Sequence, residues 1–215
     1  MAFTAPGSRL RSLTKLAASQ GGYFTAQQAR RFGYGAPHLN YHASVGNFER
    51  AGHGIYRVAM LPVADHDDLV RLRLWSRGRD DRPVAMCSHQ TALDLHGLSE
   101  AIPDVIHLTV PRGFRKAAPR GCVLHSATVG RTETHHIGAV LVTTPQRTLA
   151  DLARDAAFPH EQFVRAARIA HANGMIDSVM RNDLLALRRS VVRAATSTHR
   201  TRSERSRPVR RKARP

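Results

Sequence analysis

Side chains that could read a DNA duplex are concentrated in one short segment after residue 36. The polar side of the helix predicted there carries His38, Asn40, Tyr41 and Ser44. Leu39 and Ala43 are four residues apart and therefore share the opposite, core-facing side. Asparagine can pair bidentately with adenine, and hydroxyl groups can bond to several base edges. The segment is thus predicted to present a base-reading face, with His42 either reaching a phosphate or packing inward.

Cationic side chains on both sides of this segment could contact phosphates. Lys15, Arg30 and Arg31 precede it, and Arg50 and Arg57 follow it. Phosphate contacts fix the position of a protein on DNA, whereas base contacts fix the sequence. The predicted DNA-binding set is Lys15, Thr25, Arg30, Arg31, His38, Asn40, Tyr41, His42, Ser44, Arg50, His53 and Arg57.

The elements needed to position these residues are those of a winged helix-turn-helix. Thr25 and Gln28 have the spacing of a capping box, which predicts a helix to about Arg31. Glycines then separate it from a second helix, whose first turn holds Pro37. Two short strands around Gly52-His53-Gly54 predict a hairpin, and an amphipathic helix over residues 9–20 packs behind. The alternative is a helical hairpin and ribbon that only pack against the rest of the protein.

The 13 histidines raise the question of a metal or catalytic site. Adjacent His135 and His136 point to opposite faces of a strand, and His89 and His96 are two helical turns apart. His107 and His125 would lie close together if their strands pair, but no carboxylate pair accompanies them. No metal ligand, cofactor or catalytic residue is therefore predicted.

Enzymatic motifs are also missing from the sequence. It contains no nucleophile elbow, phosphate-binding loop or zinc-protease helix motif. Arg147 and Asp151 are four residues apart on a predicted helix, which favours a structural ion pair. Ser88, His89 and Arg147 could line a functional surface or could serve only as caps and anchors. We predict that the protein is not an enzyme, and a nuclease or nucleotidyltransferase-like activity is the less favoured alternative.

Charge is distributed unevenly along the 215 residues, whose net charge is +17. Residues 1–60 contribute +6, residues 61–187 contribute +1 and residues 188–215 contribute +10. This layout is typical of a DNA-binding head, a neutral body and a cationic tail. Two cysteines, no signal-peptide pattern and no membrane-length apolar run predict a cytoplasmic protein without a membrane partner.

The predicted fold class is α+β, in three parts. Residues 1–61 form the winged helix-turn-helix domain, and residues 62–187 form a small mixed α/β domain with strands near 84–87, 105–110, 122–125, 132–136 and 139–143. Helices are predicted from Thr144-Pro145, over 159–173, and from 177 to about 189. Residues 188–215 are rich in Arg, Ser and Pro and are predicted to be a disordered tail. The tail either strengthens DNA binding by counterion release or has no role.

Several motifs, taken in order, resemble the AbiEi family of type IV antitoxins and related regulators. In the first domain these are Leu-Asn-Tyr-His at 39–42, Gly-Asn-Phe-Glu-Arg at 46–50 and Gly-Ile-Tyr-Arg-Val at 54–58. In the second domain they are Ser-His-Gln-Thr-Ala-Leu at 88–93, His-Gly-Leu at 96–98, Ile-His-Leu-Thr-Val-Pro at 106–111 and Thr-Thr-Pro-Gln-Arg-Thr-Leu-Ala-Asp-Leu at 143–152. The resemblance covers residues 10–185.

The resemblance implies a winged-helix domain followed by an α/β antitoxin domain. It also implies binding to an inverted-repeat operator in double-stranded DNA, repression of the chain's own promoter, and action against a nucleotidyltransferase toxin without a stable complex. Asn47 and His53 occupy positions where the family often has arginine, which predicts a weaker wing contact. A regulator without a toxin partner is the alternative.

Overall fold

The computed structural model describes residues 6–100 and 102–205. Its contacts divide the chain into two compact units. Unit 1 comprises residues 1–92 and 103–144, and unit 2 comprises residues 93–102 and 145–215. The three-part division of the sequence analysis stays a prediction, since these units cut the chain at other points.

The first elements of unit 1 form a winged helix-turn-helix, which we call the head. They are α1 (Pro6–Ala18), β1 (Tyr23–Thr25), α2 (Ala26–Arg31), α3 (Ala36–Ser44), β2 (Phe48–Gly52) and β3 (Ile55–Val58). The strands form an antiparallel sheet in the order β1-β3-β2. The predicted helices and hairpin are confirmed. Strand β1 was not predicted, because its three residues give no alternating pattern.

Local signals account for the start of α2. The Thr25 hydroxyl accepts a hydrogen bond from the Gln28 amide at 3.0 Å. The Gln28 side chain in turn accepts one from the Thr25 amide at 2.8 Å. The predicted capping box is therefore present, and it satisfies two amides that would otherwise lack partners at the helix start.

Aromatic side chains form much of the head's core. The Phe24 ring meets Phe48 edge-on at 5.0 Å and stacks on Tyr56 at 5.7 Å between centroids. Leu13 of α1 and Leu39 of α3 are buried in the same cluster. The predicted core side of α3 is thus anchored beneath the helix, which leaves its other side at the surface.

The rest of unit 1 is built on a five-stranded mixed sheet. Its elements are α4 (Asp67–Trp75), β4 (Met86–Cys87), β5 (Ile106–Val110), β6 (Cys122–Ser126), a 3-10 turn (Arg131–Glu133), β7 (Thr134–Ile137) and β8 (Val140–Thr143), with α5 (His89–Leu95) leading into unit 2. The strand order is β6-β5-β4-β8-β7, and β5 runs parallel to β6. The prediction of an α+β chain with a helix-turn-helix head and a mixed α/β region is confirmed.

Unit 2 is mainly helical, with α6 (Pro145–Arg154), α7 (His160–Ala172) and α8 (Ser178–Arg205). Leu149, Leu152 and Phe163 are fully buried in its core. Arg188 of α8 is also buried, and its guanidinium donates hydrogen bonds to the carbonyls of Asp155 and Phe158. It therefore satisfies carbonyl groups that follow the end of α6.

Helix α8 corrects the predicted end near Arg189. It continues to Arg205 because residues 178–205 contain no glycine or proline. Arg188, assigned to the tail from sequence, is a core residue instead. The remainder of the predicted disordered tail, residues 206–215, lies outside the described residues. In the described part of the chain, no helix combines the length and apolar character that a membrane crossing requires.

Candidate nucleic-acid interface

Helix α3 exposes the polar side chains that the sequence analysis selected. His38, Asn40 and Ser44 are all exposed, and Tyr41 is 62% exposed despite its large ring. Leu39, between them, is 2% exposed. The helix thus carries a ring, an amide, an imidazole and a hydroxyl on its solvent side. We call this set of four side chains the α3 face.

Asn40 is oriented by a residue of the hairpin. The guanidinium of Arg50 on β2 donates to the Oδ1 atom of Asn40 at 2.6 Å. The same guanidinium lies over the Tyr56 ring, 5.7 Å from its centroid. Because arginine can only donate, this bond fixes the carbonyl side of the Asn40 amide toward the hairpin. An amide held in this way needs little reordering before it pairs with a base.

His42 belongs to the inner side of α3. Its ring lies 4.8 Å from Phe48 and 5.4 Å from Tyr34, between centroids, and its Nδ1 atom is 3.1 Å from the Asn47 amide. Burial lowers the pKa of His42, and the charge of His38 lowers it further. Of the two roles open from the sequence, the structure therefore favours packing over phosphate contact.

Three predicted phosphate contacts lie at the surface of the head. Lys15 is in the last turn of α1, and Arg30 and Arg31 are in the last turn of α2. All three are exposed. Arg31 lies 4.0 Å from Asp81 but keeps 61% of its side chain in solvent. An ion pair of this length with an exposed guanidinium is weak, so the Arg31 charge can still meet a phosphate.

The wing turn, Gly52-His53-Gly54, is held from two directions. Arg77, just beyond α4, donates to the His53 carbonyl at 2.9 Å. The Gly54 carbonyl accepts the Ala26 amide at 2.9 Å. A Cβ at Gly54 would lie 2.9 Å from the Arg77 guanidinium, and the backbone there has φ of +63°. The turn therefore requires glycine at residue 54. It leaves the His53 side chain exposed.

Two predicted contacts, Thr25 and Arg57, require correction because both residues are buried. The Thr25 hydroxyl caps α2 and also donates to the Asp81 carboxylate at 2.8 Å. Arg57 pairs with Glu49 at 2.9 Å and donates to the Leu61 carbonyl at 2.5 Å. Burial and these internal bonds hold both side chains away from the surface at which DNA would bind.

Two residues beyond the head, Arg77 and Asp81, hold parts of it in place and were not predicted from the sequence. Asp81 is 4% exposed and accepts the Thr25 hydroxyl, while Arg77 lies 3.4 Å from its carboxylate. No role was predicted for Asp81 from the sequence. The four-residue spacing of Arg77 and Asp81 was the available signal, but it does not reveal contacts with residues some fifty positions away.

Histidines also gather on the second sheet. His107 and His125 lie on paired strands with 2.9 Å between Nδ1 and Nε2, as their spacing suggested. His89 stacks on His125 with ring centroids 3.5 Å apart. Among the described residues, no group of three or more His, Cys, Asp or Glu is arranged to hold a metal ion. Arg147 and Asp151 form the predicted ion pair at 2.9 Å.

Two family models match the chain. One is described as transcriptional regulator, AbiEi antitoxin, and matches residues 11–59. The other is described as AbiEi antitoxin C-terminal domain and matches residues 84–202. No curated protein matches the chain. Among solved structures, the RV2827C protein from Mycobacterium tuberculosis is similar over 86% of this chain and 83% of its own, with 15% identity and a TM-score of 0.44.

Proposed function

The chain belongs to the AbiEi family of antitoxins and transcriptional regulators, and on that premise we propose that it is a sequence-specific DNA-binding repressor of its own promoter. The observation that carries the proposal is the α3 face, whose polar groups are exposed while Leu39 is anchored in the core. Such a helix, carried by a winged helix-turn-helix, enters the major groove.

Base reading is assigned to the α3 face. Asn40, with its carbonyl side held by Arg50, would accept from the adenine amino group through the second lone pair of Oδ1 and donate to N7 through its amide. His38 and Ser44 would bond to neighbouring base edges. Tyr41 would supply a planar surface against bases or sugars.

Position on the duplex is assigned to the cations around α3. Lys15, Arg30 and Arg31 would meet phosphates on one side of the groove, and Arg50 and His53 would meet them on the side of the wing. The head has seven Lys or Arg residues against one acid within residues 1–60, which favours an anionic partner. Thr25, His42 and Arg57 have no part in this proposal.

The test is a binding titration of the full chain with labelled duplexes. One duplex carries the DNA upstream of the gene, including any inverted repeat, and the other carries the same bases in shuffled order. We expect at least tenfold tighter binding to the upstream duplex at the same salt concentration, because base contacts add to phosphate contacts. Equal affinities would overturn sequence-specific recognition.

A second function, action against a nucleotidyltransferase toxin, is favoured by the family match over residues 84–202. We propose that this action resides outside the α3 face and does not need DNA binding. Deleting residues 1–60 would be a poor test, since it removes the partner of buried Asp81. In cells that express the neighbouring toxin, Asn40→Ala is expected to restore growth as well as the unaltered chain does. Failure of both chains to restore growth would leave a stand-alone regulator.

A further inference from the structure

A cavity of about 530 Å³ lies behind the wing turn, within unit 1. Its volume falls in the range of pockets that hold small organic molecules, about 300–1,000 Å³. Its apolar lining includes Leu72 and Trp75 of α4, Ile55 of β3 and Ile106 of β5. The α3 face lies outside it, so the cavity is separate from the proposed base-reading surface.

The lining of the cavity is also cationic. Arg71, Arg77, Lys116 and Arg120 line it, against one carboxylate, that of Asp68. Arg71 and Arg77 each have a carboxylate 3.4 Å away. Arg120 is exposed and forms no ion pair among the side chains that the structure describes. Arg71 and Arg77 are thus partly neutralised, and Lys116 and Arg120 against Asp68 leave a positive excess that concentrates anions in a concave site.

Trp75, in the apolar part of the lining, is fixed by neighbouring side chains before any ligand binds. The Lys116 ammonium donates to the carbonyls of Trp75 and Arg77 at 2.7 and 2.8 Å and lies 5.7 Å from the centroid of the Trp75 ring. The Phe114 ring packs edge-on against the Trp75 ring, with 5.7 Å between the ring centroids. Burial lowers the pKa of Lys116, and the charge of Arg77 lowers it further. A fixed indole beside an apolar leucine is a suitable surface for a second flat ring.

We propose that this cavity binds a small aromatic anion, a carboxylate or a phosphate, with its ring against Trp75 and Leu72 and its charge toward Arg120 and Arg77. The apolar part of the lining favours a ring, and the cationic part favours a negative charge. Either anionic group meets the same guanidinium donors.

A ligand bound in the cavity affects the wing turn through Arg77, and this step rests on the proposed function. Arg77 lines the cavity and also donates to the His53 carbonyl of the wing turn. An anion beside Arg77 competes for that donor, which loosens the turn. A bound aromatic anion therefore weakens DNA binding without touching α3.

Trp75 is the only tryptophan in the chain, so all tryptophan fluorescence comes from the lining of the cavity. The full chain is titrated with anilinonaphthalene sulfonate, and emission of the dye excited through Trp75 is recorded. We expect saturable binding that naphthoate or naphthyl phosphate reverses, each arm identifying one anionic group, while neutral naphthamide displaces the dye at least tenfold less effectively. Displacement by naphthamide at the same concentrations as the anions, or absence of saturable binding, would overturn the proposal.

Two charge reversals make the test specific. Arg120→Glu is expected to weaken binding of naphthoate at least tenfold. Arg112→Glu changes the net charge equally at an exposed position of the same connection but does not line the cavity, and it should bind as the unaltered chain does. Circular dichroism establishes that both variants are folded. Equal loss in both variants would overturn the site.

The coupling is tested separately by repeating the DNA titration with saturating naphthoate. We expect the affinity for the upstream duplex to fall at least threefold in the unaltered chain and to stay unchanged in Arg120→Glu. Bound naphthoate with no effect on DNA affinity would overturn the coupling through Arg77. If no duplex is bound at all, the proposed function fails, while the dye titration still decides the site.

Discussion

Helix α3 is fixed to the head by apolar packing, whereas the wing turn is held by hydrogen bonds from Arg77 and Ala26. Leu39 is 2% exposed within a cluster of aromatic and aliphatic side chains. The wing turn has no comparable side chain, since two of its residues are glycine and His53 is exposed. Apolar packing cannot be displaced by a small solute, but a hydrogen bond from a cation can. Helix α3 is thus packed into the core of the head, whereas the wing turn depends on hydrogen bonds that can be exchanged.

The largest effect is expected for Leu39→Ala, which removes the apolar packing that fixes α3 in the head. Removing the buried side chain should lower the free energy of unfolding by about 3 kcal/mol, because it leaves a cavity under α3. Binding to the upstream duplex should weaken as the helix loses its anchor. Urea denaturation followed by circular dichroism measures the change. An exposed substitution on the same helix, Ser44→Ala, is the control, and equal stability of the two variants would show that α3 is not anchored by Leu39.

Arg77→Met tests the other side of the comparison. The change removes the donor to the His53 carbonyl and leaves the buried Asp81 carboxylate without its nearest cation, at a cost of about 2 kcal/mol. Amide hydrogen exchange at Ala26, which donates to Gly54, should accelerate, and DNA affinity should fall several-fold with unchanged sequence preference. Arg79→Met, at an exposed position two residues away, should leave both unchanged. Unaltered exchange in Arg77→Met would mean that the wing does not depend on Arg77.

Arg31→Ala tests the proposed phosphate contacts, which depend neither on the packing of Leu39 nor on the hydrogen bonds of the wing turn. The variant should weaken binding to upstream and shuffled duplexes alike. It should also reduce the slope of log affinity against log salt concentration by about 1, since one fewer counterion is released. Arg168→Ala removes an exposed arginine of unit 2 and should preserve the slope. A change confined to the upstream duplex would indicate that Arg31 reads a base.

His42 gives the smallest expected effect, a pH dependence of stability. Burial holds its pKa in the folded head below the ordinary value of about 6.5, so the unfolded chain binds the proton more readily. The contribution of His42 to stability is thus complete above that value and declines as the pH falls below it. His42→Gln should flatten this decline in urea denaturations at a series of pH values. Identical profiles for His42→Gln and the unaltered chain would contradict the shift.

The sequence predicted the head well because its signals are local. The capping hydroxyl of Thr25, the glycine turn at 52–54 and the spacing of Leu39 and Ala43 each act within a few residues. The same signals failed where a side chain is used far along the chain. Thr25 was assigned to DNA because nothing nearby indicates its bond to Asp81, 56 residues along the chain. Arg57 was assigned to DNA because a spacing of four residues from Leu61 does not reveal a bond from a side chain to a backbone carbonyl.

Burial of arginine was the other general failure. The sequence predicted that Arg188 begins a cationic tail. In the structure it is 1% exposed, and it donates hydrogen bonds to the carbonyls of residues 152, 155 and 158. A count of charges cannot separate such an arginine from an exposed one such as Arg31. Only the packing of α8 against the end of α6 makes the distinction.

Specificity profiling of Asn40→Ala tests the central claim most directly. The full chain, Asn40→Ala and the exposed control Asn182→Ala each select duplexes from a randomised pool at one salt concentration. We predict that Asn40→Ala loses about 1–3 kcal/mol of discrimination at a single base-pair position in each half-site and keeps the rest of the preference. The control should select the same sequences as the unaltered chain. An unchanged preference in Asn40→Ala, or no preference in any of the three, would contradict recognition of DNA by the α3 face.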